Sequence, residues 1–154
     1  FGEGKIEDKI NWAKPGCYVT TPITSAIKAI NKMKIKKIAV FTPYPESVNK
    51  TIFEYFSKQN IKILSFSSFN LDSDVEIGKV DHNYLSEVLT KMNTGSSDAL
   101  FISCTALPAL KILNQVETKI KKIVLSSNQT LIWDSIRSVG YKNSINGYGQ
   151  LFRN

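Results

Sequence analysis

Ala99-Leu-Phe-Ile-Ser-Cys-Thr-Ala-Leu107 decides how this chain is read. Residues 99–103 are almost wholly apolar, the pattern of a strand covered on both faces. Cys104 closes that run, and Thr105 is a residue type suited to capping a helix. Beyond it Ala106, Ala109, Leu110, Leu113 and Val116 recur at helical spacing, so the stretch reads as strand, sharp turn and helix. Three more short apolar runs read as strands: residues 37–42, stopped by Pro43, then residues 61–66 and 122–126. Helical faces separate them. Ile23, Ala26, Ile27 and Ile30 follow Thr21 as cap and Pro22 in the first turn. Val48, Ile52, Phe53 and Phe56 form the next face. Tyr84, Leu85, Val88, Leu89 and Met92 follow Asp81 as cap. Ile132, Trp133, Ile136 and Val139 end at Gly140. Strands separated by helices imply parallel pairing with right-handed crossovers. The fold class is therefore α/β: a doubly wound lobe with a four-stranded parallel sheet.

The 154 residues are enough for one domain with a real core, and 42% of them are hydrophobic. No apolar run reaches the roughly 18 residues of a membrane span. The opening FGEGKIEDKI has no signal-peptide character, and it lacks an initiating Met, so a piece of a longer protein is expected. Cys17, His82 and Cys104 have no zinc-ligand spacing, and two cysteines do not make a disulfide framework, so a reduced, cytoplasmic setting is expected. The net charge of +7 raises the question of nucleic acid. Its lysines, however, cluster at Lys32, Lys34, Lys36, Lys37 and at Lys119, Lys121, Lys122, where helices end and complement the helix dipole. Neither a nucleic-acid nor a membrane partner is expected.

In open parallel sheets ligands bind outside the carboxyl ends of the strands. That rule selects Thr42-Pro43-Tyr44, the loop from Ser67 to Asp74, Cys104-Thr105 and Ser126-Ser127-Asn128-Gln129, and it leaves the lysines on the opposite edge. A thiol at a helix N-terminus is held toward its thiolate form, and the N–H groups of Thr105 and Ala106 can bind a carboxylate or a developing enolate. Cys104 reads either as a nucleophile or carbon acid/base or as a buried structural cysteine. Tyr44 reads either as a donor to a substrate carboxylate or as a packed loop residue. Ser127 and Asn128 read first as helix caps. His82 lies far from Cys104 in sequence, Cys17 sits in a Pro-Gly loop, and Asp72, Asp74 and Glu76 read as a solvated turn. Phosphate-cradle motifs are absent.

Residues 99–107, then Ser126-Ser-Asn-Gln129 with Trp133 one turn on, resemble the maleate cis–trans isomerase and arylmalonate decarboxylase branch of the aspartate/glutamate racemase superfamily. Val19-Thr-Thr-Pro22, Phe41-Thr-Pro-Tyr44 with Val48-Asn49, Glu76-Ile-Gly-Lys-Val80 and Gly147-Tyr-Gly-Gln-Leu-Phe152 follow in family order. The resemblance implies two pseudo-symmetric α/β lobes with the site between them, no cofactor and no metal, and one cysteine from each lobe. It makes Cys104 the second catalytic thiol and Tyr44, Thr105 and Ala106 substrate-binding residues. It implies a cofactor-independent isomerase or racemase of a small mono- or dicarboxylic acid. Decarboxylation of a malonate, an ectoine-breakdown step and an inactive acid-binding lobe are the alternatives. Asp74 falls where some isomerases carry an asparagine, which disfavours a dicarboxylate such as maleate. Thr105, in place of the glycine pair of the decarboxylases, leans away from decarboxylation.

The family's first cysteine precedes a segment like Phe1-Gly-Glu-Gly4, and Cys17 does not match it. Residues 1–19 are then the remnant of the first lobe and the connection, 20–130 the second lobe, and 131–154 a helix and tail returning toward the first. An uncovered lobe face would favour association of copies.

Overall fold

The computed structural model describes residues 3–154, so Phe1 and Gly2 of the family-like opening lie outside the described residues. Four parallel strands, β1 (Lys37–Thr42), β2 (Lys62–Ser68), β3 (Ala99–Ile102) and β4 (Ile123–Ser126), form one sheet in the order β2-β1-β3-β4. The chain turns outward in opposite directions after β1 and β3, which makes the crevice between their carboxyl ends the topological switch point.

Alternation along the strands explains the two covered faces. Ile38, Val40, Phe101 and Leu125 point to one side, against Ala26, Ala29 and Ile30 of α2 (Pro22–Lys32), Ile52 and Phe56 of α3 (Glu46–Lys58), and Trp133 of α7 (Ser127–Ser138). Ala39, Phe41, Leu100, Ile102 and Val124 point to the other. There they meet Leu85 and Leu89 of α5 (His82–Lys91) and Leu113 and Val116 of α6 (Leu113–Ile120). Each fully buried side chain of this size contributes about 1.5–3 kcal/mol. Phe56 and Phe101 add an edge-to-face contact at 5.4 Å between ring centres.

Several local signals act as their chemistry predicts. The Thr21 hydroxyl accepts the Thr24 N–H, and Asp81 accepts the N–H groups of Asn83 and Tyr84. Gly140, at φ +84°, ends α7: its N–H bonds to Arg137 O while the Tyr141 N–H bonds to Ile136 O. α1 (Glu3–Ala13) precedes the Pro15-Gly16 turn. Asp98 accepts the N–H groups of Lys36 and Lys37 at 2.9 and 2.8 Å, which holds its carboxyl below the usual range. The first lysine cluster therefore lies at the strand-entry edge of the sheet, away from the crevice.

The structure corrects the sequence reading in several places. Asp74 and Glu76 lie in a short helix, α4 (Asp74–Gly78), capped by Ser73, rather than in a turn. Ile132 and Val139 face outward, Val139 at 81% exposure, because α7 packs against α2 and the sheet along a narrower stripe. No helix begins at Thr105. The chain runs through an irregular loop to a 3-10 turn (Leu110–Ile112), and only then enters α6. Pro108 accounts for this: it disfavours the helical conformation at Leu107 and supplies no N–H.

The tail is anchored on this sheet. Leu151 and Phe152 enter the core of the first face. Glu117 of α6 accepts the N–H of Val124 at 3.0 Å and of Gln150 at 2.9 Å, and Gln129 donates its side-chain amide to Tyr148 O. Gly149 passes between these two side chains at φ +85°. A Cβ there would sit 2.8 Å from Gln129 Nε2 and 3.3 Å from Glu117 Oε1, so any other residue would take on a strained backbone and push these two side chains aside.

Candidate active site

Two loops meet at the switch point. The first leaves β1 through Pro43-Tyr44-Pro45 into α3; Asn49 clamps it from close by in sequence, and the N–H groups of Phe69 and Leu71 bond the Thr42 and Pro43 carbonyls from the segment after β2. Thr42 Oγ1 donates to Asn49 Oδ1 at 2.6 Å, and Asn49 Nδ2 donates to Tyr44 O at 2.8 Å. Ser68 Oγ, at the end of β2, donates to the same carbonyl. Asn49 is buried, so its amide has both ends satisfied within one turn of chain.

The second loop leaves β3 at Ser103 and Cys104. Cys104 is 4% exposed, and its backbone stands at φ +143°, a conformation that glycine adopts easily and other residues do not. Such a residue carries strain of about 1–3 kcal/mol and persists only where its surroundings fix it. Here the surroundings are explicit. The Cys104 N–H donates to Ser127 Oγ at 3.1 Å, Asn128 Nδ2 donates to Thr105 O at 2.9 Å, and His82 Nδ1 bonds Pro108 O at 2.8 Å. His82 thus steadies the far end of the loop and has no bond to the thiol. The Ala106 N–H donates to Cys104 Sγ at 3.3 Å. That N–H, read from sequence as a substrate-binding group, faces the sulfur instead, in a tight turn rather than at a helix end.

The structure brings Tyr44 and Cys104 together although 60 positions separate them. Both line a cleft of about 520 Å3 with Thr21, Pro22, Ile23, Ser47, Val48, Ser103, Thr105 and Ser127, and Ile6 of α1 closes one side. Burial raises the Tyr44 phenol above its ordinary value. A hydrogen bond with the Cys104 side chain, and charge interactions with Cys104 and then Asp74, push the same way. Tyr44 therefore remains a hydrogen-bond donor at neutral pH, aimed at the sulfur or at a negative group beside it. A larger hollow, about 940 Å3, lies between α3 and the free edge of β2, lined by Lys50, Phe53, Phe66 and others. It shares Ser47 with the smaller cleft but contains neither Cys104 nor Tyr44 and opens on the β2 side rather than between β1 and β3, so the smaller cleft is the candidate site.

Sequence reasoning missed the part played by Ser127 and Asn128. The N-cap of α7 is Ser126, which accepts the Gln129 N–H and completes a capping box with the Gln129 side chain. The next two side chains are thereby free to reach the Cys104 loop. The Ser-x-x-Gln box at 126–129 was the signal that would have separated the cap from its neighbours. Among the described residues no group of His, Cys, Asp and Glu is arranged to hold a metal, and no helix is long and apolar enough to cross a membrane.

The chain is 25% identical to a maleate isomerase of Geobacillus stearothermophilus over 81% of its own length, and spans 50% of that protein. It is 24% identical to an arylmalonate decarboxylase of Bordetella bronchiseptica over 89% of its length, spanning 58% of it. Among solved structures it superposes, with a TM-score of 0.90 at 16% identity, on a variant of Nocardia farcinica maleate cis–trans isomerase carrying a covalently bound succinylcysteine intermediate. That match covers 98% of this chain and 62% of the other. Unliganded arylmalonate decarboxylase gives 0.85 at 22% identity, covering 98% and 66%. The chain thus spans between half and two thirds of the length of these relatives. The profile of the family described as arylmalonate decarboxylase matches residues 5–152, and the chain belongs to that family.

Proposed function

We propose that this chain is the second, cysteine-bearing lobe of a two-lobed enzyme that isomerises a small unsaturated carboxylic acid without a cofactor. In this reading residues 1–19 are the end of the first lobe and the connection, 20–130 the second lobe, and 131–154 the helix and tail that reach back toward the first. Tyr18 supports a fixed connection: its hydroxyl donates to Asp134 Oδ1 of α7 at 2.6 Å, and Lys28 Nζ reaches Asp134 at 3.1 Å. Ile6 and Ile10, one turn apart on α1, are an exposed apolar stripe for the neighbouring lobe to cover, and Trp12 is exposed on another side of the same helix.

The observation that carries the proposal is Cys104, held in a strained loop at the switch point with its sulfur beside Tyr44 in the cleft. A thiolate from the first lobe adds to one alkene carbon while the opposing thiol, Cys104, gives its proton to the other carbon. The product is a saturated thioether with Cys104 as thiolate. Rotation about the new single bond, return of the proton to Cys104 and departure of the first sulfur regenerate the alkene in its trans form. Every bond made in the first half is broken in the second, so no redox partner is needed. Tyr44, protonated through neutral pH, and the Thr105 hydroxyl donate to the carboxylate and to the charge that develops on it.

A second reading, decarboxylation of a malonate, is supported by the family profile and by the Bordetella relative. Loss of CO2 would leave an enolate that Cys104 protonates. The protein encoded by the full-length gene, assayed with maleate and with an arylmalonate and followed by NMR of the products, separates the two readings. Cys104→Ala is expected to lower turnover by at least about 1000-fold. Near-normal turnover by that variant would overturn the role of Cys104.

A further inference from the structure

The Cys104 loop is strained, and within its own neighbourhood in sequence only the Ala106 N–H, on Cys104 Sγ, bonds that residue. Two side-chain anchors beside the thiol come from the adjacent strand-to-helix junction, 23 positions away: Ser127 Oγ on the Cys104 N–H and Asn128 Nδ2 on the Thr105 carbonyl. Neither side chain is needed to start α7, since Ser126 and Gln129 form the capping box. Ser127 is buried and lines the cleft beside Cys104. Two adjacent residues thus grip the backbone on both sides of the thiol, one through the N–H of the peptide unit that precedes Cys104 and the other through the Thr105 carbonyl, one unit beyond the residue's own.

We propose that Ser127 and Asn128 are positioning residues that hold Cys104 with its sulfur aimed into the cleft. This rests on Cys104 being the reactive thiol. Their grip fixes the peptide unit before Cys104 and the one after Thr105, and so limits how the short span between them, with its Cα–Cβ bond, can turn. Without Ser127 the buried Cys104 N–H has no acceptor, and the loop can relax toward an ordinary backbone conformation that turns the sulfur away. A thiol displaced by about 1 Å reacts much more slowly without any loss of binding contacts.

The test uses the full-length protein with Ser127→Ala, Ser127→Thr and Asn128→Ala, each checked for cooperative melting. Cys104 alkylation by iodoacetamide is followed by mass spectrometry against pH, beside kcat and KM. Ser127→Ala is expected to slow alkylation and to lower kcat by about 10–100-fold at nearly constant KM. Ser127→Thr, which keeps the acceptor, restores most of both, and Asn128→Ala gives a smaller loss of the same kind. Asn128 is only half-buried and lies outside the cap, so its variant reads the grip even where Ser127→Ala folds poorly. Unchanged alkylation and kcat in Ser127→Ala and Asn128→Ala would overturn the proposal, as would equal losses in Ser127→Ala and Ser127→Thr. Alkylation requires no substrate, so a failed grip shows there, whereas a wrong reaction shows in the turnover of Cys104→Ala.

Discussion

The loops after β1 and after β3 face each other across the cleft and differ in strain and in where their side-chain clamps come from. The first is relaxed. Asn49 satisfies both Thr42 and Tyr44 from seven and five positions away, while Ser68, Phe69 and Leu71, at and after the end of β2, bond the carbonyls of Tyr44, Thr42 and Pro43. The second is strained at Cys104 and is held by Ser127 and Asn128, both 23 positions from the groups they bind. In the proposed mechanism a binding group such as Tyr44 needs only to be present and protonated. A group proposed to make and break bonds needs a fixed direction, which for Cys104 comes from a neighbouring element that the sheet brings alongside.

The contrast is broken most decisively at the sulfur. Cys104→Ala in the full-length protein should remove at least about 1000-fold of turnover while leaving the β1 loop untouched. Turnover close to that of the natural protein would mean that the strained loop serves only packing. Asn49→Ala should act the other way, mainly on stability. It leaves Thr42 Oγ1 without its buried acceptor and removes one of two donors to Tyr44 O, a loss of about 1–3 kcal/mol readable in urea unfolding. A loss below that range would show that the β1 loop does not depend on its local clamp.

The strain itself has a signature. Alanine at position 104 keeps the positive φ and glycine relieves it, so Cys104→Gly should match or exceed Cys104→Ala in stability by about 1 kcal/mol. That reverses the usual ranking of the two residues, and a glycine variant clearly less stable than alanine would remove strain from the account.

The smallest effect is expected at Glu117, which pins the tail beside β4. Burial raises its carboxyl above the ordinary value, against the N–H groups of Val124 and Gln150 and the charge of Arg153. A raised carboxyl pKa means that the folded state holds its proton more tightly than the unfolded chain. This contribution to stability is therefore full below the ordinary carboxylate pKa and declines as pH rises through the raised one. Glu117→Gln has no such slope, so its deficit against the natural protein should be larger at pH 5 than at pH 8 in thermal melts. An equal deficit at both would show that Glu117 does not titrate on folding.

Much of the fold was legible because its signals are short-range. The apolar runs at 37–42 and 99–103, the Thr21 and Asp81 caps and the Gly140 stop act within a turn of helix or a few residues of strand. That Tyr44 and Cys104 would lie at one edge was legible because parallel strands place their carboxyl ends together. The helix expected from Thr105 failed because Pro108 outweighs the apolar spacing around it. The anchors of the Cys104 loop escaped for a different reason. Serine and asparagine at the start of a helix look like caps, and only the neighbour that wins the cap decides what the others are free to do.

By itself the sequence determined the alternation of strands and helices, the parallel sheet and the residues gathered at its carboxyl edge, since hydrophobic period and turn chemistry are properties of neighbouring residues. Tertiary structure alone decided the positive φ at Cys104, the grip of Ser127 and Asn128, the turn of the Ala106 N–H onto the sulfur and the seating of the tail between Glu117 and Gln129. Each of these depends on which strand lies beside which. Strand order brings β4 against β3, and only then do groups 23 or 33 positions apart come within hydrogen-bond reach.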